Sequence, residues 1–239
     1  MEALSTELAA HYDGLYRNAA AAFISGNHRV DPLIDAPDDN RRGLTLLIRP
    51  GSDVTRNIRQ FLTELRGIEP NQYYYPDTDI HITVISIISC YDGFDLRQIA
   101  AADYTDAVRT SLAGCPAFDL HMRGVTASPE AVMVCGLFCT NELNAMRAKL
   151  RNTFRRSPLR NTLDARYILN AAHATVFRLR RAPENPKRLL DLLEANRSRD
   201  FGTFTVGEVE LVFNDWYQRH DKVVVLERFA LRAGPRPPD

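Results

Sequence analysis

No stretch of this 239-residue chain is apolar for long enough to cross a bilayer, and its start, Met1–Glu7, lacks the basic residues and apolar run of a secretory leader. The expectation is a cytoplasmic protein with no membrane partner. Net charge is absent as well, because 30 Lys and Arg balance 30 Asp and Glu. Without a positive field over the whole molecule there is nothing to draw in long polyanions, so duplex nucleic acid is excluded as a partner and any positive potential must be local. Cysteine is scarce and lacks the CxxC spacing of a zinc site: Cys90 and Cys115 stand alone, and three residues separate Cys135 from Cys139. All four read as small, reduced, buried apolar groups. Tryptophan occurs once, at Trp216.

What is present is a repeated tetrad. Asp79-Ile80-His81-Ile82-Thr83-Val84 returns as Ala172-His173-Ala174-Thr175-Val176, each copy reading His-x-Thr-hydrophobic. In an extended strand side chains alternate faces, so within each copy His and Thr point one way while Ile82 and Val84, or Ala174 and Val176, point into a core. One His-x-Thr is a common accident, and the bland reading is a half-buried strand histidine with satisfied ring nitrogens. The context shifts the balance. Gly43–Pro50 is an apolar strand pattern, followed by Ser52 as a helix cap and Val54, Ile58, Phe61, Leu62 and Leu65 at helical spacing, then the first motif. Ala131–Phe138 repeats the strand, Thr140 the cap, and Leu143, Met146, Leu150 and Phe154 the helix, with Arg166–Leu169 leading into the second motif. Strand patterns at Phe118–Met122 and Phe204–Val212 follow the two copies. A duplication with one motif in each half is far harder to reach by chance than two tetrapeptides.

With the duplicated halves and both motifs intact, the sequence resembles the 2H phosphoesterases, and within them the RNA 2′,3′-cyclic phosphodiesterases often labelled 2′-5′ RNA ligases. The resemblance spans roughly Arg42 to Leu231. It implies an α+β fold of two pseudo-symmetric lobes, each an antiparallel sheet with outer helices, around a central cleft carrying the two motifs. It implies that His81 and His173 are the general acid and base, that Thr83 and Thr175 bind the phosphate, and that no metal or cofactor is required. The implied function is metal-independent hydrolysis of a 2′,3′-cyclic phosphate or related nucleotide phosphodiester, with a nucleotide or RNA end as partner. The alternatives are a 2′-5′ or cyclic oligonucleotide phosphodiesterase or ligase-like enzyme, a non-catalytic nucleotide-binding module, and an α+β interaction protein whose motifs are structural.

The remaining candidates are substrate contacts. Arg41 and Arg42 precede the first strand and suit a phosphate, or equally a bridge to Asp38 or Asp39. Tyr75 and Tyr167 each lie six residues before a motif histidine, placed either to stack on a base or to pack. Trp216 falls at a strand end, as a cleft wall or as core. Residues 1–40 read as a helical extension and linker, 41–232 as the bilobal domain, and 233–239 as a disordered tail. Within the extension, residues 3–25 form an amphipathic pattern through Leu4, Leu8, Tyr12, Leu15, Ala19 and Phe23. Its plain role is packing on the lobes; a partner-binding or substrate-capping arm is the alternative. His11 and His28 read as surface groups, and the oligomeric state is open.

Overall fold

The computed structural model describes residues 2–138, 140–165 and 168–233, so Cys139, Tyr167 and all but the first residue of the expected tail lie outside the described residues. The two halves each begin with an apolar strand. β1 (Arg41–Ile48) and β5 (Ala131–Leu137) are almost wholly buried, as befits strands flanked by neighbours on both sides and covered on both faces. Each is followed by a helix, α2 (Ser52–Arg66) and α4 (Glu142–Arg156). The buried positions Val54, Ile58, Phe61 and Leu65 of α2 recur with the same 4-3-4 spacing as Leu143, Arg147, Leu150 and Phe154 of α4. One of the four is an arginine. The expected caps differ: Ser52 is the first helical residue, and α2 and α4 are entered through Gly51 and Asn141 without a side-chain cap.

The motif strands come next, β3 (Ile82–Asp92) in the first half and β6 (Ala172–Arg178) in the second. The strand expected at residues 166–169 does not form over its described part; Ile168 and Leu169 are irregular, and β6 starts at Ala172. After β3 come α3 (Ala101–Leu112) and β4 (Phe118–Ser128); after β6 come α5 (Pro186–Ala195), β7 (Asp200–Val206), β8 (Glu208–Asp215) and β9 (Val224–Ala230). The two-residue strand β2 (Tyr73–Tyr74) pairs with β6.

Together the strands make one curled sheet, in which every ladder is antiparallel and the order is β7-β4-β5-β6-β3-β1-β8-β9. The halves of the chain interlock. β4, from the first half, pairs with β5 in the second lobe, while β8, from the second half, pairs with β1 in the first. The lobes β9-β8-β1-β3 and β6-β5-β4-β7 meet through a single register pair, Ile82 with Ala174, the middle residues of the two motifs. Antiparallel pairing there sets His81 across from Thr175 and Thr83 across from His173.

The N-terminal helix α1 (Glu2–Ser25) belongs to the same core. Leu8, Tyr12, Ala19 and Phe23 are buried in it, and burial of side chains this size contributes roughly 1.5–3 kcal/mol each for the larger ones. The Tyr12 hydroxyl donates to the carbonyls of Gly136 (3.0 Å) and Ala172, and Thr126 donates to the Tyr12 carbonyl at 2.8 Å. The helix ends at Gly26, whose φ of 74° supplies the left-handed turn expected at a helix terminus. No helix among the described residues is long and apolar enough to cross a membrane.

Candidate active site

Both motif strands carry the same irregularity. On β3, Leu46 pairs with Ile85 and Leu47 with Thr83, which leaves Val84 as an extra residue. On β6, Val132 pairs with Phe177 and Met133 with Thr175, which leaves Val176 extra. A bulge of this kind resets the alternation of side chains beyond it. His and Thr face the cleft by the ordinary two-residue period, and the bulge then brings the fifth residue after each His, Ser86 or Arg178, to that same face.

The cleft holds about 1070 Å³ and is lined by His81, Thr83, His173 and Thr175, together with Tyr75, Ser86, Arg178 and Trp216. The four motif side chains are half-buried, while Ile82, Val84, Ala174 and Val176 are buried behind them, as the strand alternation requires. Arg41 and Arg42 do not line it. Arg41 makes a two-pronged pair with Asp39, Nε to Oδ1 and Nη2 to Oδ2 both at 2.9 Å, and its Nη2 also donates to the Tyr217 hydroxyl. It supports the site from behind, with its guanidinium 4.9 Å from the Trp216 ring. Arg42 donates to the carbonyls of Asp39 and Arg41.

Among the described residues, the cation at the cleft is instead Arg178, which the sequence reading missed. Its Nε donates to the Tyr75 hydroxyl at 2.9 Å, and its guanidinium lies 6.0 Å from the Trp216 ring. Tyr75 is buried, and its ring centroid is 6.4 Å from that of His81. It therefore joins the cleft arginine to the first catalytic candidate. The turn after β8 closes this wall: the His220 amide donates to Asp79 Oδ1 at 3.0 Å, holding Trp216 and Gln218 against the segment that leads into His81.

The two histidines are held differently. His81 Nδ1 lies 2.8 Å from the Asp79 carbonyl, an acceptor only, so this nitrogen carries the proton and Nε2 keeps its lone pair. His173 Nδ1 is buried with no hydrogen-bond partner among the described residues. Burial, foremost, pushes both imidazoles down to about 4. Arg49, His173 and Arg178 add to the effect at His81, whereas the Asp79 carbonyl opposes it. Arg147, His11 and Arg178 add to it at His173.

Arg147 reaches the bulge from beneath. Fully buried on α4, it donates from Nε to the Val84 carbonyl at 2.8 Å and from Nη2 to those of Thr83 (3.1 Å) and Ala171 (2.8 Å). It thus ties the first motif to the residues just before the second and satisfies carbonyls that the irregular ladder would leave unpaired. Among the described residues, no group of three or more His, Cys, Asp or Glu side chains is placed to hold a metal ion. The described cysteines, Cys90, Cys115 and Cys135, are buried.

No protein-family model matches the chain, and no curated protein matches it. Solved structures do. The protein TT0787 of Thermus thermophilus is 16% identical with a TM-score of 0.55, the match covering 80% of this chain and 98% of that one. A structure described as a phosphoesterase is 16% identical with a TM-score of 0.50, covering 80% and 99%. E. coli LigT complexed with 3′-AMP is 17% identical with a TM-score of 0.50, again covering 80% and 99%. At such identities the likeness is one of fold: the chain has the two-lobed α+β architecture of these proteins.

Proposed function

We propose that this protein is a 2H-type phosphoesterase that hydrolyses a nucleotide phosphodiester, the 2′,3′-cyclic phosphate of a nucleotide or RNA end being the first substrate to test. The observation that carries the reading is the pairing of Ile82 with Ala174, which puts each histidine across from the other motif's threonine on the wall of one cleft. The phosphate sits among Thr83, Thr175 and Arg178. Two hydroxyls and a fixed guanidinium are donors already aimed where the pentavalent transition state gathers negative charge, so little reorganisation is needed during the reaction.

His81 is the better base, since its Nδ1–H is committed to the Asp79 carbonyl and the Nε2 lone pair is free to take a proton from the attacking water. His173 then returns a proton to the departing ribose oxygen. In the free protein near neutral pH both imidazoles are uncharged, because burial holds both at about 4. A phosphodiester brings one negative charge beside them and favours the charged form of one imidazole, so substrate binding and proton uptake are coupled. The product is a phosphomonoester with a free neighbouring hydroxyl, and no step draws on a metal. That E. coli LigT has been crystallised with 3′-AMP supports a nucleotide ligand for this fold.

The test is turnover, with EDTA present, of 2′,3′-cyclic mononucleotides, a short RNA bearing a 2′,3′-cyclic end, and 2′-5′ linked oligonucleotides. Hydrolysis of any of them supports the reading and names the linkage. No hydrolysis of any, together with no nucleotide-dependent rise in melting temperature, overturns it.

A further inference from the structure

The cleft has a wall that neither motif supplies. Glu7, Leu8, His11 and Leu15 of α1 line it, at spacings of three and four that put them on one side of the helix. Glu7 and His11 are exposed, so their polar groups are open to a ligand, while the half-buried Leu15, one turn on from His11, provides apolar surface beside them. The helix cannot swing away easily. Tyr12 is tied to the carbonyl of Ala172, the residue before His173, Asp13 pairs with Arg197, and the Arg197 guanidinium lies 4.2 Å from the Tyr16 ring. His11 shares the cleft with His173. This is a fixed part of the cleft, set beside the histidine proposed as acid, rather than a surface helix.

A phosphodiester has two substituents. One has the wall of Trp216, Gln218, Tyr75 and Arg178, where an aromatic face and polar groups meet. The proton donor must face the other, the leaving oxygen, and the helix beside His173 is the wall on that side. A volume of about 1070 Å³ lies at or above the roughly 300–1,000 Å³ common for sites that enclose one small ligand, which leaves room for a second nucleoside.

The geometry points to α1 as the subsite for the leaving nucleoside, with His11 and Glu7 hydrogen-bonding its sugar hydroxyls and Leu15 against its base. The inference rests on the proposed phosphodiesterase reading and narrows it: the preferred substrate carries a nucleoside on both sides of the scissile phosphate, unlike a cyclic mononucleotide. The full chain serves for the test. Both polar side chains are exposed, so His11→Ala and Glu7→Gln keep the buried anchors Leu8 and Tyr12, and melting temperatures verify folding.

The measurement is KM and kcat of wild type and both variants for a dinucleoside monophosphate, in 2′-5′ and 3′-5′ linkages, and for a 2′,3′-cyclic mononucleotide. The expected result is a KM for the dinucleotide raised by about tenfold in His11→Ala, the loss of one hydrogen bond in a closed site, with a clearly smaller change in kcat and in the KM of the cyclic substrate. A ratio of the two KM values that stays put in both variants overturns the inference, as does an equal fall in kcat for both substrates, which would mean that His11 acts only through His173. Turnover of the cyclic mononucleotide alone by the wild type also overturns it while leaving the phosphodiesterase reading intact. If the wild type turns over neither, the inference falls, and turnover of the RNA with a 2′,3′-cyclic end decides whether the phosphodiesterase reading falls with it.

Discussion

The first lobe and the second are built on one plan and finished differently. Each has a motif strand with a bulge at the valine after its threonine, and each packs a helix with the same 4-3-4 spacing of buried positions. At three matched places the plan diverges. Ser86 faces the cleft where the other lobe has Arg178; Ile58 is buried where the other has Arg147; and the Asp79 carbonyl fixes His81 Nδ1, whereas His173 Nδ1 has no partner among the described residues. A phosphodiester is not symmetric either, since one side is attacked and the other departs. The repeated scaffold brings two equal pairs together, and on the proposed phosphodiesterase reading the unequal additions give them different work.

The largest expected effect comes from removing the added charge. Arg178→Ser gives the second lobe the residue of the first, and kcat/KM should fall by about a hundredfold or more, as for loss of a preorganised donor, with the fold kept; steady-state kinetics with a thermal melt would check it. A smaller but global effect is expected from Arg147→Met, which leaves the carbonyls of Thr83, Val84 and Ala171 buried without their donor and should cost about 2–4 kcal/mol in urea unfolding. The matched change in the other lobe, Ile58→Val, trims one methyl from a packed position and should cost only about 0.5–1.5 kcal/mol in the same assay. Equal costs for the two would erase the contrast between a polar tie and plain packing.

The mildest effect is on pH. Both histidines sit at about 4 in the fold against an ordinary value near 6.5, so the folded state binds fewer protons than the unfolded chain between those values. Their neutral forms cost nothing above pH 6.5, and stability is lost progressively as pH falls from 6.5 toward 4. Relative to His81→Asn/His173→Asn, the wild type should lose more stability across that window and the same above it, and proton NMR should show both rings titrating well below 6.5.

The duplicated halves, the helical spacing of Val54 to Leu65 and of Leu143 to Phe154, and the cleft-facing motif residues were legible because two-residue and helical periods survive over those segments. Arg178 was hidden by the bulge at Val176: simple alternation from His173 points Phe177 into the cleft and turns Arg178 away. The matching strands, Gly43–Pro50 and Ala131–Phe138, offered no hint, since a bulge leaves no mark on composition. Arg147 was hidden because an apolar stripe is read from apolar residues, and an arginine inside it is taken as solvent-facing. Arg41 and Arg42 were placed at the right strand, but Asp39 is only two and three residues away and claims both. For α1 the period was readable and its docking place was not, because the partners of Tyr12 and Asp13 lie more than a hundred residues along the chain.

The claim that the two motifs make one site is tested most directly by turnover of the best substrate, with EDTA present, in His81→Ala, His173→Ala and the double variant. Groups that act as a unit lose nearly everything at the first deletion, so each single variant should fall by roughly 10²–10⁴-fold and the double little further. Wild-type rates in either single variant, or losses that simply multiply in the double, would contradict the paired-histidine account.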